Sequence, residues 1–392
     1  MARNVRFRPE SFGGIVSMEQ PPLIAYVDRA LARRIGPAES PLWTGQEEPD
    51  APLSAPTEVH LLLTGRCPSK CSYCYTDAGP DGDPGPGLES ARRMLEALAR
   101  MKVFHVALGG GESILRDDLF VLAEYARSLE LVPNLTTSGV GFTDEIVERC
   151  RVFGQINVSI DGVGSLHRTS RGETSFGAAD RALRRLIDAG IPAGINTVLS
   201  RQNIDGLEAL VAYAAEVGAN EVELLRLKPA GRAKEVYLER RLTDAQHLEL
   251  LPRVLELARR HRLHLKLDCS FAPMICAHDP PLEVLKAFSV VGCDGGNSLG
   301  AIMPDGAVSG CSFSPSQELD GERIDAVWNS SAVLNRFRDF QALAPEPCRS
   351  CAYRSVCKGG CHVVASFITG DFDVPDPECP RVIAHHRAAG SR

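Results

Sequence analysis

From residue 57 the chain repeats one pattern six times: an apolar run of strand length, then an amphipathic stretch of helix length. The strand-like runs are Val59–Thr64, Val103–Leu108, Leu131–Thr137, Gln155–Ile160, Ala193–Leu199 and Glu221–Leu227. Helical periodicity falls near 88–101, 117–128, 143–150, 175–189, 204–217 and 243–261. Strands joined through helices lie parallel, with the helices packed over the sheet. The pattern therefore predicts an α/β fold.

Six units suit a partial (βα)6 TIM-like barrel, and an open doubly wound sheet reads the same way. In both, ligands meet the carboxyl ends of the strands. Four polar or glycine-rich segments fall there. "GRCPSKCSYCY" (65–75) follows the first strand and "GGGES" (109–113) the second. "SIDG" (159–162) closes the fourth, and "RLKPAGRA" (226–233) follows the sixth.

The flanks read differently. Residues 1–40 form a small unit of their own: two short runs around Phe12-Gly13-Gly14 suggest a hairpin, and "PPLIAYVDRALARRI" has helical spacing. Residues 41–56 are rich in Pro, Glu and Asp and read as a linker. The repeat occupies 57–264. Residues 265–392 bring short apolar runs, Gly/Pro turns and most of the cysteines.

A formal charge of −7 without a long Lys/Arg run argues against an extended nucleic-acid surface. No apolar stretch reaches membrane-spanning length, and the charged start lacks a signal-peptide core. The expected location is the cytoplasm. There, thirteen cysteines imply metal or redox work rather than disulfides.

Three of them, Cys67, Cys71 and Cys74, sit in a C-x3-C-x2-C array past the first strand. Thiolates suit zinc or iron–sulfur clusters. A structural zinc site takes four ligands, so zinc would need a fourth from elsewhere, such as Cys150 or a histidine. An iron–sulfur cluster held by three thiolates keeps one position for an external ligand.

This array on the first βα loop resembles that of the radical S-adenosylmethionine (SAM) enzymes. The resemblance implies that Cys67, Cys71 and Cys74 hold a [4Fe–4S] cluster whose fourth iron binds SAM. It also implies reductive cleavage of SAM to a 5′-deoxyadenosyl radical that abstracts a substrate hydrogen. Tyr73 stands where the family has an aromatic residue. Gly110, Gly111 and Glu112 match its Gly-Gly-Glu motif, implying contact with the SAM amino group. Ser159 and Asp161 match polar positions on the fourth strand, and Arg171 matches a basic residue that pairs with the SAM carboxylate. Ser138 stands where relatives often have Asn, and Ser113 where they often have Pro. Asn196 and the backbone near Leu227 are expected by the ribose and adenine.

The later cysteines resemble the family's SPASM extension. By that resemblance Cys348, Cys351, Cys357 and Cys379 hold a distal auxiliary cluster, and Cys293, Cys311 and Cys361 a proximal one. Relatives often carry a further cysteine where Leu299 and Gly300 stand. Three solutions stay open: an iron left open to substrate or another ligand, Cys269, or Cys276. Each of those two cysteines also reads as a buried free thiol, and Cys150 as core.

Several segments, "MKVFHVALGGGES" and "CKGGCHVVASFITGDFDVPDPEC" among them, look most like the maturases of ribosomally made peptides. The resemblance implies a radical SAM oxidoreductase that acts on a peptide, takes electrons from a flavodoxin or ferredoxin type donor and works alongside a leader-binding chaperone. The hairpin–helix unit looks like part of such a chaperone. Other candidates are a radical SAM dehydrogenase of a small alcohol or amino sugar, a sulfatase-maturase-like enzyme acting on a protein Cys or Ser, and a non-catalytic iron–sulfur carrier.

Overall fold

The computed structural model describes residues 5–47, 51–172, 175–315 and 317–390. Residues 1–4 of the N-terminal unit and 48–50 of the expected linker lie outside the described residues.

The six anticipated strands are β4 (Glu58–Thr64), β5 (His105–Gly110), β6 (Val132–Thr137), β7 (Ile156–Ser159), β8 (Ala193–Leu199) and β9 (Glu221–Arg226). They are neighbours in chain order, and every pair is parallel. An order that never reverses has no switch point, so right-handed crossovers place all the connecting helices on one face. This is the winding of a partial barrel, not of a doubly wound sheet. The helices are α2 (Leu88–Arg100), α3 (Leu119–Ser128), α4 (Asp144–Arg149), α5 (Ser165–Arg171), α6 (Ser175–Asp188) and α7 (Leu207–Val217). After β9 come α8 (Ala233–Arg240) and α9 (Asp244–His261), the latter opened by a capping box of Thr243 and Gln246.

Period-2 alternation sorts the two faces of the sheet. Val59, Leu61, Leu63, Val106, Leu108, Val222 and Leu224 are buried against the helices, packing with Leu95, Leu98, Leu122 and Leu183. Between them, His60, Asn134, Asn157, Asn196 and Glu223 point the other way, so the inner face is polar. Asn157 Nδ2 donates to Asn196 Oδ1 at 2.8 Å across β7 and β8. Burial, reinforced by Asp268, pushes the Glu223 carboxyl up to about 7.

Two further strands extend the sheet. β10 (His264–Leu267) pairs in parallel with β9, and β11 (Leu299–Ile302) in parallel with β4. Antiparallel β12 (Ala307–Ser309) and β13 (Gln317–Asp320) complete ten strands. The cysteine-rich C-terminal region thus continues the sheet, and helices 332–343, 362–369 and 380–390 fold around it.

The N-terminal unit differs from the expected hairpin and helix. β1 (Val5–Glu10), β2 (Gly13–Glu19) and β3 (Pro22–Asp28) form a three-stranded antiparallel sheet, and the helix, α1 (Arg29–Ile35), starts only after it. "PLIAYVD" fits either period, and pairing decided it: β2 engages it from Gly13↔Asp28 to Glu19↔Pro22. The unit is fastened to its neighbours through Arg8, which is 2% exposed and donates to Ala55 O at 2.6 Å and Pro56 O at 2.7 Å. Glu10 accepts from Arg8 at 2.7 Å and from the Ser54 amide at 2.8 Å. None of the described helices is long and apolar enough to cross a membrane.

Candidate functional site

The three-cysteine loop leaves β4 at Thr64 and folds back on itself. Gly65 N donates to Asp83 O at 2.7 Å and Cys67 N to Gly79 O at 2.9 Å. Cys67, Cys71 and Cys74 are partly exposed and carry free thiols. Burial raises the pKa of Cys67 and Cys71, and the neighbouring thiol adds to the effect in each case: Cys71 on Cys67, Cys74 on Cys71. The guanidinium groups of Arg171 and Arg232 oppose this at Cys71. The loop therefore gathers soft thiolate donors beside two cations, a donor set fit for an iron–sulfur cluster. Among the described residues no three His, Cys, Asp or Glu side chains converge on a single-ion site. A cluster does not require that, since each thiolate binds its own iron.

The second strand delivers Gly110, Gly111 and Glu112 against this loop. Gly111 N donates to Thr64 O at 2.5 Å and Glu112 N to Arg66 O at 2.9 Å. A Cβ on Gly110 would lie 2.3 Å from Thr64 O, and one on Gly111 2.1 Å from Arg66 O. The glycines thus permit backbone-to-backbone contact with the cysteine loop. Gly111→Ala should force the loop off its strand. The expected result is a fold-competent protein that reconstitutes with markedly less iron than wild type, read by iron and sulfide assay beside circular dichroism.

Glu112 is 2% exposed. Thr137 Oγ1 donates to its Oε1 at 2.7 Å, while the Ser138 amide donates to Oε2 at 2.7 Å and the Ser138 hydroxyl joins it. Burial raises the carboxyl pKa, and these donors pull against that shift. Ser138 therefore orients Glu112, and Thr137, which the sequence did not single out, does the same. Ser113 is buried, with Oγ donating to Gly109 O at 2.7 Å.

Asp161, 1% exposed, ties the cysteine loop to β7 and β8. Tyr73 donates its hydroxyl to Oδ2, Arg171 Nε lies 2.5 Å from the same oxygen, and Val198 N donates to Oδ1 at 2.9 Å. Burial opposes the charge on Arg171, but Asp161 and the thiols outweigh it and hold the pKa above its ordinary value. Arg171, expected to face a carboxylate of SAM, is here paired with a carboxylate of the protein. Ser159 and Asn196 stand side by side in the β7–β8 register. Leu227 is buried in a cluster with Cys361, against which Tyr73 and Phe313 pack.

Sequence reasoning missed the clamp after β9. Arg232 donates from Nε to Cys71 O at 3.1 Å and from its amide to Cys74 O at 3.0 Å. Arg240 Nη1 donates to Ser72 Oγ at 2.6 Å. Gly231 has φ +53°, and a Cβ there would stand 2.4 Å from Cys74 O. The available signal was "AGRA" at the carboxyl end of the sixth strand.

The later cysteines separate into two groups. Cys348, Cys351, Cys357 and Cys379 line one cavity, together with Cys276. In the other group, burial raises the Cys293 thiol, and Cys361 and Cys311 raise it further. Cys150 is fully buried in the main core. Leu299 and Gly300 lie in β11, and a Cβ on Gly300 meets the Trp328 ring at 3.1 Å. A buried charge hub links both groups to β9. Arg226 pairs with Asp376 at 2.6 Å and Glu378 at 2.7 Å, and donates to Ser270 O at 2.9 Å. Asp376 Oδ2 accepts from Cys361 N at 3.0 Å.

A parallel βα sheet, a three-thiol loop after its first strand and a Gly-Gly-Glu turn beside it define a class of cluster-dependent, SAM-binding enzymes. The Radical SAM superfamily profile matches residues 61–214. The chain is 31% identical to "Mycofactocin maturase MftC" of Mycolicibacterium smegmatis, over 83% of each chain. It is 30% identical to "PqqA peptide cyclase" of Ruegeria pomeroyi, over 88% of this chain and 92% of that one. Its fold matches Streptococcus suis SuiB, solved with its precursor peptide SuiA, at a TM-score of 0.75 and 16% identity over 97% of this chain and 99% of that one. The chain belongs to the radical SAM superfamily.

Proposed function

We propose that this enzyme binds SAM at the Cys67–Cys71–Cys74 loop and oxidatively modifies a ribosomally made peptide. The observation that carries the reading is 31% identity to MftC over 83% of each chain. The fold of SuiB, solved with a peptide bound, is compatible with it.

Cys67, Cys71 and Cys74 would hold the [4Fe–4S] cluster, which supplies, when bound, the electron for reductive cleavage of SAM. Glu112, fixed by Thr137 and Ser138, presents a carboxylate suited to the SAM ammonium. Tyr73, Asp161 and Arg171 brace the loop at the ends of β7 and β8. Ser159 and Asn196 offer polar contacts on the inner face, and Leu227 an apolar one beside Tyr73. Cys348, Cys351, Cys357 and Cys379 would hold a distal auxiliary cluster, and Cys293, Cys311 and Cys361 a proximal one. A net oxidation of substrate needs an electron acceptor, and these sites provide a place for it. A flavodoxin or ferredoxin type protein would supply the initiating electron.

The N-terminal sheet supports a leader-binding role. Leu23, Ile24 and Tyr26 of edge strand β3 are 43%, 37% and 50% exposed, an apolar edge onto which a leader could add as a further strand.

The test is anaerobic incubation with SAM, a reductant and short precursor peptides encoded near the gene, with and without their leaders, read by mass spectrometry. A peptide mass loss that tracks 5′-deoxyadenosine and needs the leader is expected. SAM cleavage with unchanged peptides, alongside turnover of a small alcohol or amino sugar, would overturn the proposal.

A further inference from the structure

We infer that Cys269 is the fourth protein ligand of the proximal site, beside Cys293, Cys311 and Cys361. This rests on the reading of that site as an iron–sulfur cluster. It makes the cluster fully ligated by protein, and so a relay for electrons rather than a docking point for substrate.

The sequence offered two spare thiols, and the structure sends them to different places. Cys276 ends a short helix, Ala272–Cys276, and shares its cavity with Cys357. It lines the cavity of Cys348, Cys351 and Cys379, so it belongs with the distal group.

Cys269 opens a single 3-10 turn, Cys269–Phe271, directly after β10. It therefore lies at the carboxyl end of a parallel strand, the end where the three-thiol loop also lies. Two ties fix its surroundings. On one side, Asp268 caps the turn by accepting from Ser270 N at 3.1 Å and pairs with Lys228 Nζ. Lys228 Nζ in turn lies 4.4 Å from the centroid of the Phe313 ring, two residues beyond Cys311. On the other side, Ser270 O accepts from Arg226 at 2.9 Å, and Asp376, the partner of Arg226, accepts from Cys361 N at 3.0 Å. One tie leads from Cys269 to Cys311, and the other to Cys361.

Leu299 and Gly300, where relatives often carry the missing cysteine, stand in β11, so the vacancy in the sequence is met from β10 instead. Lys228, 6% exposed, supplies a cation beside the four thiolates and offsets part of their charge.

The test compares wild type with Cys269→Ser, Cys269→Ala and Cys276→Ala as full-length chains reconstituted anaerobically. Readouts are iron and sulfide content, electron paramagnetic resonance of the reduced protein, and the response of that spectrum to added imidazole. Wild type is expected to hold about twelve irons, as three [4Fe–4S] clusters require, with auxiliary signals indifferent to imidazole. The two Cys269 variants should lose between about one and four irons, or acquire an imidazole-sensitive signal. Cys276→Ala should keep the proximal signal. If the Cys269 variants match wild type in both readouts, or wild type itself shows an imidazole-sensitive auxiliary signal, the assignment of Cys269 is overturned and the clusters stand. If wild type holds only about four irons, the underlying reading of the site falls instead.

Discussion

Replacing Cys67, Cys71 and Cys74 together by alanine abolishes formation of 5′-deoxyadenosine from SAM under reducing conditions and removes about four irons from the reconstituted protein. The loop itself should survive, because its shape is held by backbone bonds that the substitutions leave in place. Cys67 N still donates to Gly79 O, Gly111 N to Thr64 O, and Arg232 N to Cys74 O. The side chains of Arg232 and Arg240 still donate to Cys71 O and Ser72 Oγ. The later cysteines lie on other segments, so their irons should remain. The variant thus separates initiation from everything downstream, by chromatography of the nucleoside beside iron analysis and circular dichroism. Continued 5′-deoxyadenosine formation by the triple variant would refute the placement of the cluster.

Much of this site was legible because its chemistry sits on short motifs at fixed places in a repeating fold. The six strands announced themselves through long β-branched and aliphatic runs, and C-x3-C-x2-C and GGGES fall at the ends of the first two. What escaped was of two kinds. Short segments with ambiguous period, "HLKL" and "LGAI", became strands only because the edges of β9 and β4 were available to pair with them. β3 is the same case, with β2 as the template. The other kind is contact between distant residues. Nothing local predicts that Asp161 answers Tyr73 across 88 residues, or that Arg232 reaches back to Cys71 across 161. The backbone contacts of the GGE glycines escaped for this reason: a single strand's sequence does not reveal which neighbouring backbone crosses it.

Arg226→Met should destabilise the protein by about 3–5 kcal/mol, the range for removing one partner of a buried charge set, and should disturb both auxiliary sites. Arg226 is 3% exposed, Asp376 0% and Glu378 2%. Without the guanidinium, Asp376 keeps the Cys361 and Glu378 amides as donors, and Glu378 keeps Tyr237 at 2.8 Å and Arg241 at 2.5 Å. That leaves Asp376 as the buried carboxylate with no cation, and it is the one that positions Cys361. The pH dependence carries a sign. In wild type, burial opposes ionisation of Glu378, but Arg226 outweighs it and lowers the pKa, so this stabilisation is complete above the unfolded value and is lost as pH falls through the folded one. In the variant Glu378 loses the lowering due to Arg226 while burial still acts on it, so it takes up a proton more readily. The stability deficit should therefore shrink as pH is lowered from 8 towards about 5.5, above the range in which the wild-type carboxylates titrate. Thermal unfolding across that range, paired with Arg226→Met/Asp376→Asn, checks the account. The double variant should recover part of the loss, since an amide can remain buried without a counter-ion while still accepting from the Cys361 amide. A deficit below about 1 kcal/mol, or one that grows towards acid, would mean that the hub does not brace the C-terminal cysteines through buried charge.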